Sequence, residues 1–451
     1  MLIKIKESIL ENKKEMGRIL PLEKSFDLLQ RDIIVGGRTS ILYFVDGFTK
    51  DEALMKIMPA LFAATENNMP LTVEEFTELY LPYAEIDFLT DYETVVKNIL
   101  SGVTCLFIDK YDTCIAIDCR TYPARSVEEP QKDKSLRGSR DGFVETIVFN
   151  TALIRRRIRS PKLVMEMKEV GNMSKTDIAI CYIEDRVNQE VLNKILYKLD
   201  EITVDALPMN QQSLANELYT RKWFNPFPKF KFTERPDTTA ACLLEGKVVI
   251  LVDNSPSAMI LPTSILDLVE EANDYYFPTI TNVYLKLTRM IITVVTLFLT
   301  PFFVLLTQNP QWVPPALEFI LIQDTVNVPI VLQLLILESS IDGLKLAAIN
   351  TPNMLSTPLS IVAGIVLGQF SVLSGWFNAE IMLYMAFVAV ANYTQPNFEL
   401  GYALKFMRLL LLILTGLFGL WGFIIGTVIT LVSVMFNRTL TGRSYLNVSK
   451  N

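Results

Sequence analysis

The sequence predicts an α/β cytosolic region of two similar α/β subdomains, followed by an all-α polytopic transmembrane domain of about six helices. Residues from about 286 to 437 are apolar and carry very few charges, whereas residues 1–285 have the composition of an ordinary soluble protein. The soluble part repeats one order of strands and helices, with a long polar segment between the repeats. We therefore predict domains at 1–125, 126–278 and 279–440, and a cytosolic tail at 441–451.

Composition and motifs argue against several classes of function. The formal net charge of −7 disfavours a nucleic-acid partner, and the absence of histidine removes the commonest general base and metal ligand. The sequence contains no P-loop, no GxSxG motif and no dinucleotide-binding glycine pattern after a strand. Its five cysteines lack metal-binding spacing, which predicts reduced, mostly buried thiols in a cytosolic compartment. We expect a protein that is not an enzyme and that holds no metal or cofactor.

The soluble region is predicted to contain one α/β unit twice. The first copy has a buried strand at 39–46, a helix at 51–64 and a hairpin-like pair of strands at 103–118. The second copy has the same pieces in the same order, at 176–183, 187–202 and 241–253. Corresponding pieces lie about 135–140 residues apart, which favours a duplication.

A charged linker and a helix stand between the two copies. Residues 124–142 are polar and highly charged, which is typical of a linker, and they lead into a predicted helix at 143–160. Four arginines cluster at the end of this helix: Arg155, Arg156, Arg157 and Arg159. They belong either to a solvated helix face, where cations favour the C-terminal dipole, or to a contact with anionic lipid headgroups or a partner subunit.

The apolar region is long enough for several membrane spans, since about 20 residues cross a hydrocarbon core of roughly 30 Å. The predicted spans are 287–306, 317–336, 359–373, 381–391 and the two halves of 407–435, which is split near 420–422 among glycines. The N-terminus has no apolar signal segment and the tail is basic, so both ends are expected in the cytosol. An even number of spans satisfies this, with Lys345, Lys405 and Arg408 on the cytosolic side.

Polar residues inside the apolar region are candidates for an ion pathway, because polar groups in lipid are costly unless they face a pore, a cavity or a partner helix. The candidates are Gln323, Asp324, Glu338, Asp342 and Gln369. On one continuous helix, Asp324 and Glu338 would lie fourteen residues, about 20 Å, apart on nearly the same face. Rings of such acids in an oligomer would suit cations. Alternatively, the carboxylates mark span ends in the headgroup region, and 316–337 enters the membrane only part way.

One short motif precedes the second hairpin and consists of Thr233, Glu234, Arg235, Pro236 and Asp237. Opposite charges beside a proline that fixes the backbone predict an internal salt bridge and turn. We therefore expect a structural role at the junction with the membrane domain, rather than ligand binding.

Several short segments in fixed order closely resemble the A subunits of the GerA spore-germination receptor family. These segments are 140–145 (RDGFVE), 153–157 (LIRRR), 232–237 (FTERPD), 244–249 (LEGKVV) and 252–256 (VDNSP). The resemblance covers the chain from about residue 130 to the C-terminus and, more loosely, the N-terminal copy. Within the family, 223–228 (WFNPFP) and 347–352 (AAINTP) look most like one paralogous branch.

The resemblance implies a protein of the inner spore membrane of an endospore former. The receptor A subunits are thought to form ring-shaped, ligand-gated ion channels, and the similar branch is thought to amplify the germination signal with a partner membrane protein. We therefore expect a homo-oligomeric ion channel or channel component that contacts membrane lipid and other spore germination membrane proteins. The alternative is an accessory subunit or transporter for calcium dipicolinate, and a membrane enzyme is disfavoured by the missing site.

Overall fold

The computed structural model describes most of the chain as two compact units. The described residues are 3–49, 51–81, 85–122, 138–219, 225–323, 328–350, 364–442 and 444–446. The first unit holds the described residues up to 219 together with Phe230–Thr263, and the second holds 225–229 and the described residues after 263. Residues 225–229 and 264–278, which the sequence assigns to the second α/β subdomain, thus pack with the helical unit.

The first subdomain is a five-stranded sheet with helices on both faces. Its elements are α1 (Ile9–Ile19), β1 (Leu28–Val35), β2 (Arg38–Val45), α2 (Asp51–Phe62), α3 (Val73–Tyr80), β3 (Glu85–Leu89), α4 (Tyr92–Leu100), β4 (Thr104–Ile108) and β5 (Cys114–Asp118). All neighbouring strands are antiparallel, in the order β1-β2-β4-β5-β3. Because side chains alternate along a strand, Tyr43 packs with α1 and α4, while Leu42 packs with α2 and α3.

The second subdomain repeats this architecture. Its elements are α5 (Ile147–Arg157), β6 (Leu163–Val170), β7 (Thr176–Ile183), α6 (Gln189–Asp200), α7 (Asn210–Leu218), β8 (Lys231–Thr233), α8 (Pro236–Leu244), β9 (Val248–Val252) and β10 (Ala258–Leu261). Its strands are antiparallel in the order β6-β7-β9-β10-β8, which matches the strand order of the first subdomain position by position. The predicted pair of similar α/β subdomains is confirmed.

The likeness of the two copies extends to single hydrogen bonds at the start of α1 and α5. Asn12 accepts from the main-chain N–H of Lys6 and donates to its carbonyl, and Asn150 does the same with Val144. The first N–H of each helix donates to an aspartate that follows a strand of the same sheet, Asp109 or Asp253. Helix α5, predicted as part of a linker, is therefore the first helix of the second copy.

The predicted membrane or partner contact of the arginine cluster is wrong for Arg155, whose side chain is 0% exposed. Its guanidinium Nε lies 2.7 Å from Oδ2 of Asp27, and Nη2 donates to Oδ1 at 3.0 Å. The other arginines also have partners within the unit: Arg156 covers the ring of Tyr122, Arg157 pairs with Asp141, and Arg159 donates to Ser101. For these three, a lipid or partner contact stays a prediction.

Replacing Asp27 by asparagine should destabilise the α/β unit, because Arg155 would remain buried without its counter-charge. Hydrogen bonds to charged groups contribute about 1.5–3 kcal/mol, so we expect a loss of about 3 kcal/mol. For a unit of this size that lowers the melting temperature of the solubilised chain by roughly 6–12 °C. Asp185→Asn is the matched control, since the Asp185–Lys162 pair is exposed and should matter little. Equal shifts in the two variants would contradict the prediction.

All five cysteines are free and buried, which confirms the expected state of the thiols. Burial raises the pKa of the Cys114 and Cys181 thiols, so little thiolate forms near neutral pH. A maleimide reagent should therefore label the native chain slowly and all five cysteines after unfolding. Fast native labelling, followed by peptide mapping, would show that a buried strand opens.

The second unit is helical. Its helices are α9 (Ile265–Val269), α10 (Thr279–Gln308), α11 (Ile330–Asn350), α12 (Ser371–Leu373), α13 (Ala379–Tyr393) and α14 (Phe398–Met435). Among the described residues, α10 and α14 are long and apolar enough to cross a membrane, each with a mean hydropathy of 2.4. Ser264 caps α9 through a reciprocal bond with Asp267, and Asn397 caps α14.

Helix α14 is a tight hairpin rather than one straight rod. Gly419 has φ 59° and ψ −132°, a conformation that only glycine adopts readily, and it reverses the chain. Gly422 then lies against the main chain of Leu414, and an added Cβ at Gly426 would stand 3.2 Å from Cα of Leu411. Small residues four apart allow such close helix contact. The predicted break in 407–435 is confirmed, one residue before its predicted position.

The predicted second span, 317–336, is not a continuous helix. Pro315–Ile320 form a short 3-10 helix, residues 321–323 are irregular, and α11 begins only at Ile330, after Pro329. A proline disfavours the helical conformation of the residue before it and suits the start of a helix, which explains this boundary. Glu338 and Asp342 consequently lie inside α11. Of the predicted span at 359–373, residues 359–363 lie outside the described residues, and the rest form the π-helical segment Gly364–Phe370 followed by α12. Helix α13 contains 381–391.

Candidate functional site

A network of four charged side chains lies inside the helical unit and joins three helices. Nε of Arg408 on α14 donates to Oε1 of Glu338 on α11 at 2.8 Å. Nη1 of the same arginine donates at 3.1 Å to the carbonyl of Thr296, on α10. Lys405, one turn before Arg408, lies 3.2 Å from Oε2 of Glu338 and also pairs with Asp342. We call these four side chains the charge network.

The charge network is electrically balanced and largely dry. The side chains of Arg408 and Glu338 are 0% and 4% exposed, so each desolvated charge depends on the other. Asp342 is different, because its side chain is 30% exposed and its Oδ1 has no hydrogen-bond partner among the described residues. Because this oxygen is itself buried, the network contains one desolvated carboxylate oxygen without a donor among the described residues.

Two other polar contacts hold the helical unit together. Gln333 on α11 and Asn378 exchange hydrogen bonds of 2.9 and 3.0 Å, and both side chains are buried. In the N-terminal half of α10, Arg289 pairs with Asp274 and donates to the carbonyl of Val269 at 2.7 Å. In the sequence, Gln333 stands out only as an isolated glutamine within an apolar run, and no pattern indicates a role for Asn378.

The structure gathers some of the predicted ion-pathway residues and separates others. Glu338 and Asp342 belong to the charge network, together with Lys405 and Arg408, which the sequence indicated only as cytosolic charges. Gln323 is exposed in a loop, where its N–H donates to Glu380 at 3.4 Å. Gln369 is exposed within the π-helical segment Gly364–Phe370, and Asp324 lies outside the described residues. The described helices thus provide no continuous acidic stripe from 324 to 342.

The motif at 233–237 lies in the second α/β subdomain, where Arg235 is fully buried. Its Nε lies 3.0 Å from Oδ1 of Asp237, and its Nη2 donates to the carbonyl of Ser139 at 2.8 Å. Pro236 occupies the first turn of α8, and Glu234 accepts from the N–H of Phe143 through its main-chain oxygen. These contacts are those expected of a structural motif, because they bind the segment before α5 to the sheet.

The fold and the charge network define a class: a membrane protein in which a duplicated α/β unit precedes a helical unit with buried ion pairs. Residues 19–450 match the family model described as Bacillus/Clostridium GerA spore germination protein. This chain belongs to the GerA family.

Two relatives are similar to this chain over most of its length. Stage V sporulation protein AF of Bacillus subtilis (strain 168) is 34% identical over 436 residues, which cover 96% of this chain and 87% of that protein. Uncharacterized membrane protein YfkQ of the same strain is 28% identical over 412 residues, 89% of this chain and 79% of that protein. The crystal structure of the N-terminal domain of the A subunit of the Bacillus megaterium spore germinant receptor GerK3 covers 58% of this chain and 97% of that chain, with 23% identity and a TM-score of 0.44.

Proposed function

We propose that this chain forms an oligomeric ion channel, or is a component of such a channel. The channel would propagate or amplify the germination signal at the inner spore membrane. The charge network carries this proposal. Ionisable groups within apolar helices are costly, and where they occur they usually line an ion pathway or control one. Family membership supports the location in the spore and a role alongside other spore germination membrane proteins.

The outer surface of the helical unit supports assembly with lipid and with further copies of the chain. Large apolar side chains stay exposed on α13 and on both arms of α14, among them Phe387, Leu417, Trp421 and Val428. Such a surface is unfavourable in water, so it calls for lipid or a neighbouring subunit. In a ring of subunits, the partly exposed Asp342 would contribute one carboxylate each to a shared pathway.

Ion flux through liposomes that contain the purified chain tests the proposal. We expect potassium flux above that of empty vesicles, and a changed cation-to-anion selectivity in Asp342→Asn. Glu318→Gln is the matched control, because it neutralises an exposed carboxylate of the same unit outside the network. Asp324→Asn, combined with Asp342→Asn, extends the test to the predicted acid near the start of α11. If flux and selectivity are unchanged in both variants, Asp342 and Asp324 do not line the ion pathway.

The alternative role is separable in the same vesicles. If the chain, alone and with co-expressed germination proteins, conducts no ions but increases release of trapped calcium dipicolinate, the accessory or transporter role replaces the channel. Transport through a site near the middle of the membrane would then be expected to saturate with substrate.

A further inference from the structure

A cavity beside the charge network, lined by aromatic rings and a few polar side chains, has the properties of an anion site. It lies between the C-terminal half of α11, the end of α13 and the start of α14, and its walls include Lys345, Asn392, Gln395, Tyr402 and Lys405. Glu338 and Asp342 balance Lys405 and Arg408, so Lys345 leaves this group of five with one excess positive charge.

Lys345 is held at the cavity by aromatic rings rather than by an acid. Its Nζ lies 5.0 Å from the ring centre of Tyr393 and 5.9 Å from that of Tyr402, and it forms no ion pair with the residues that the structure describes. Cation–π contacts position an ammonium group without neutralising it. These ring contacts leave Nζ of Lys345 without an ion-pair partner among the described residues, so an anionic ligand can pair with it.

Two amide oxygens at the cavity lack donors. Gln395 is 9% exposed, and its amide nitrogen already donates to Oγ1 of Thr293 at 2.9 Å, so only its oxygen is available. Neither Oε1 of Gln395 nor Oδ1 of Asn392 has a hydrogen-bond partner among the described residues. Because buried acceptors without donors are costly, a ligand that fits here combines a negative charge with hydroxyl or amino donors.

The position of the cavity favours a lipid headgroup as the source of that ligand. Thr293, which binds Gln395, stands one turn after Arg289, the last charged residue of α10, and thus near the polar end of the apolar stretch. Tyr393 and Phe398 flank the cavity and are 70% and 67% exposed. Exposed aromatic rings are typical of the membrane interface, and basic pockets between transmembrane helices bind anionic headgroups.

We propose that this cavity binds a singly charged phosphate group that carries hydroxyl donors, as the headgroup of a phosphoglycerol lipid does. Lys345 would face the phosphate, and Asn392 and Gln395 would accept from the hydroxyls. Soluble glycerol phosphate has the same chemistry, so it is the second source to be tested. The site does not depend on whether the chain conducts ions.

Binding to the detergent-purified full chain, measured by native mass spectrometry, tests this site. Three probes are titrated: short-chain phosphatidylglycerol, short-chain phosphatidylcholine, which has no headgroup donors, and glycerol phosphate. We expect phosphatidylglycerol to bind at least tenfold more tightly than phosphatidylcholine, and Lys345→Gln to lose most of that preference. Lys286→Gln, which removes a lysine paired with Glu270 elsewhere in the unit, should keep it.

Each outcome decides between the sources. Binding of glycerol phosphate without phosphatidylglycerol, lost in Lys345→Gln, assigns the site to a soluble anion. Equal binding of both lipids, or full binding by a Lys345→Gln chain, overturns the proposal. Lys345→Arg keeps the charge and should restore binding, and this separates a ligand contact from a general loss of structure. Unchanged melting of Lys345→Gln without lipid makes the comparison valid.

Discussion

Replacing Glu338 by glutamine is expected to destabilise the helical unit by about 3–5 kcal/mol, because Arg408 would stay buried with no counter-charge. Nε of Arg408 lies 2.8 Å from the Glu338 carboxylate, and the arginine side chain is 0% exposed. Glutamine has nearly the same shape, so the loss comes from charge and not from packing. Lys405 keeps Asp342 as a partner, which confines the damage to Arg408. Denaturant unfolding of the solubilised chain measures the difference.

The double variant Glu338→Leu with Arg408→Leu is the sharper half of this test. Removing both charges together leaves no unpaired ion, and buried pairs can often be replaced by apolar residues at little cost. The double variant should therefore be more stable than Glu338→Leu or Arg408→Leu alone, and the cycle of these three variants should give a coupling of at least about 2 kcal/mol between the two positions. Additive losses would show that Glu338 and Arg408 act independently, and that the network does not hold α11 and α14 together.

Replacing Gly422 by alanine should open the α14 hairpin. An ideal Cβ at Gly422 would overlap the main-chain carbonyl of Leu414, which cannot rotate away as a side chain can. Overpacking in a core costs about 1–3 kcal/mol, and a clash with backbone belongs at or above the upper end of that range. We expect loss of folded protein from the membrane fraction, or a melting temperature lower by several degrees.

Gly343→Ala is the control for this prediction. Gly343 lies within α11 with open space around the position of an added Cβ, so alanine there should be neutral or stabilise by about 0.5–1 kcal/mol. Gly419→Ala should also destabilise, because φ 59° with ψ −132° is a backbone conformation that costs an alanine about 1–3 kcal/mol, although no clash adds to it. A stable, normally folded Gly422→Ala protein would mean that the two arms of α14 do not pack as closely as described.

The prediction from sequence succeeded where local pattern and tertiary structure agree. Short apolar runs identified β2 and β7, and the spacing of corresponding elements revealed the duplication. The same patterns missed the role of Asn12 and Asn150, because a single asparagine in the first turn of a helix does not indicate which loop its side chain will bind. Helix α5 looked like part of a linker because a charged segment precedes it, although its burial is that of a core helix.

The charged residues of the helical unit show most clearly what cannot be predicted from the sequence. In the sequence, Glu338 and Asp342 were read as a possible acidic stripe and Lys405 and Arg408 as cytosolic charges, since the two pairs are more than sixty residues apart. Whether a carboxylate lines an open pathway or neutralises a buried arginine depends on which helices become neighbours. Local periodicity carries no such information.

The sequence by itself determined the two α/β copies, the reduced thiols, the break among the glycines near 420 and the family to which the chain belongs. The copies and the break follow from short-range physics, namely hydrophobic period and backbone freedom at glycine. The family was indicated instead by the resemblance of several short segments in fixed order. Only the tertiary structure decided that Arg155 is an internal ion-pair partner, that α11 begins after Pro329, and that Glu338 and Arg408 form one network. Those features depend on contacts between distant segments, and a charge acquires its role only from the partner that folding brings to it.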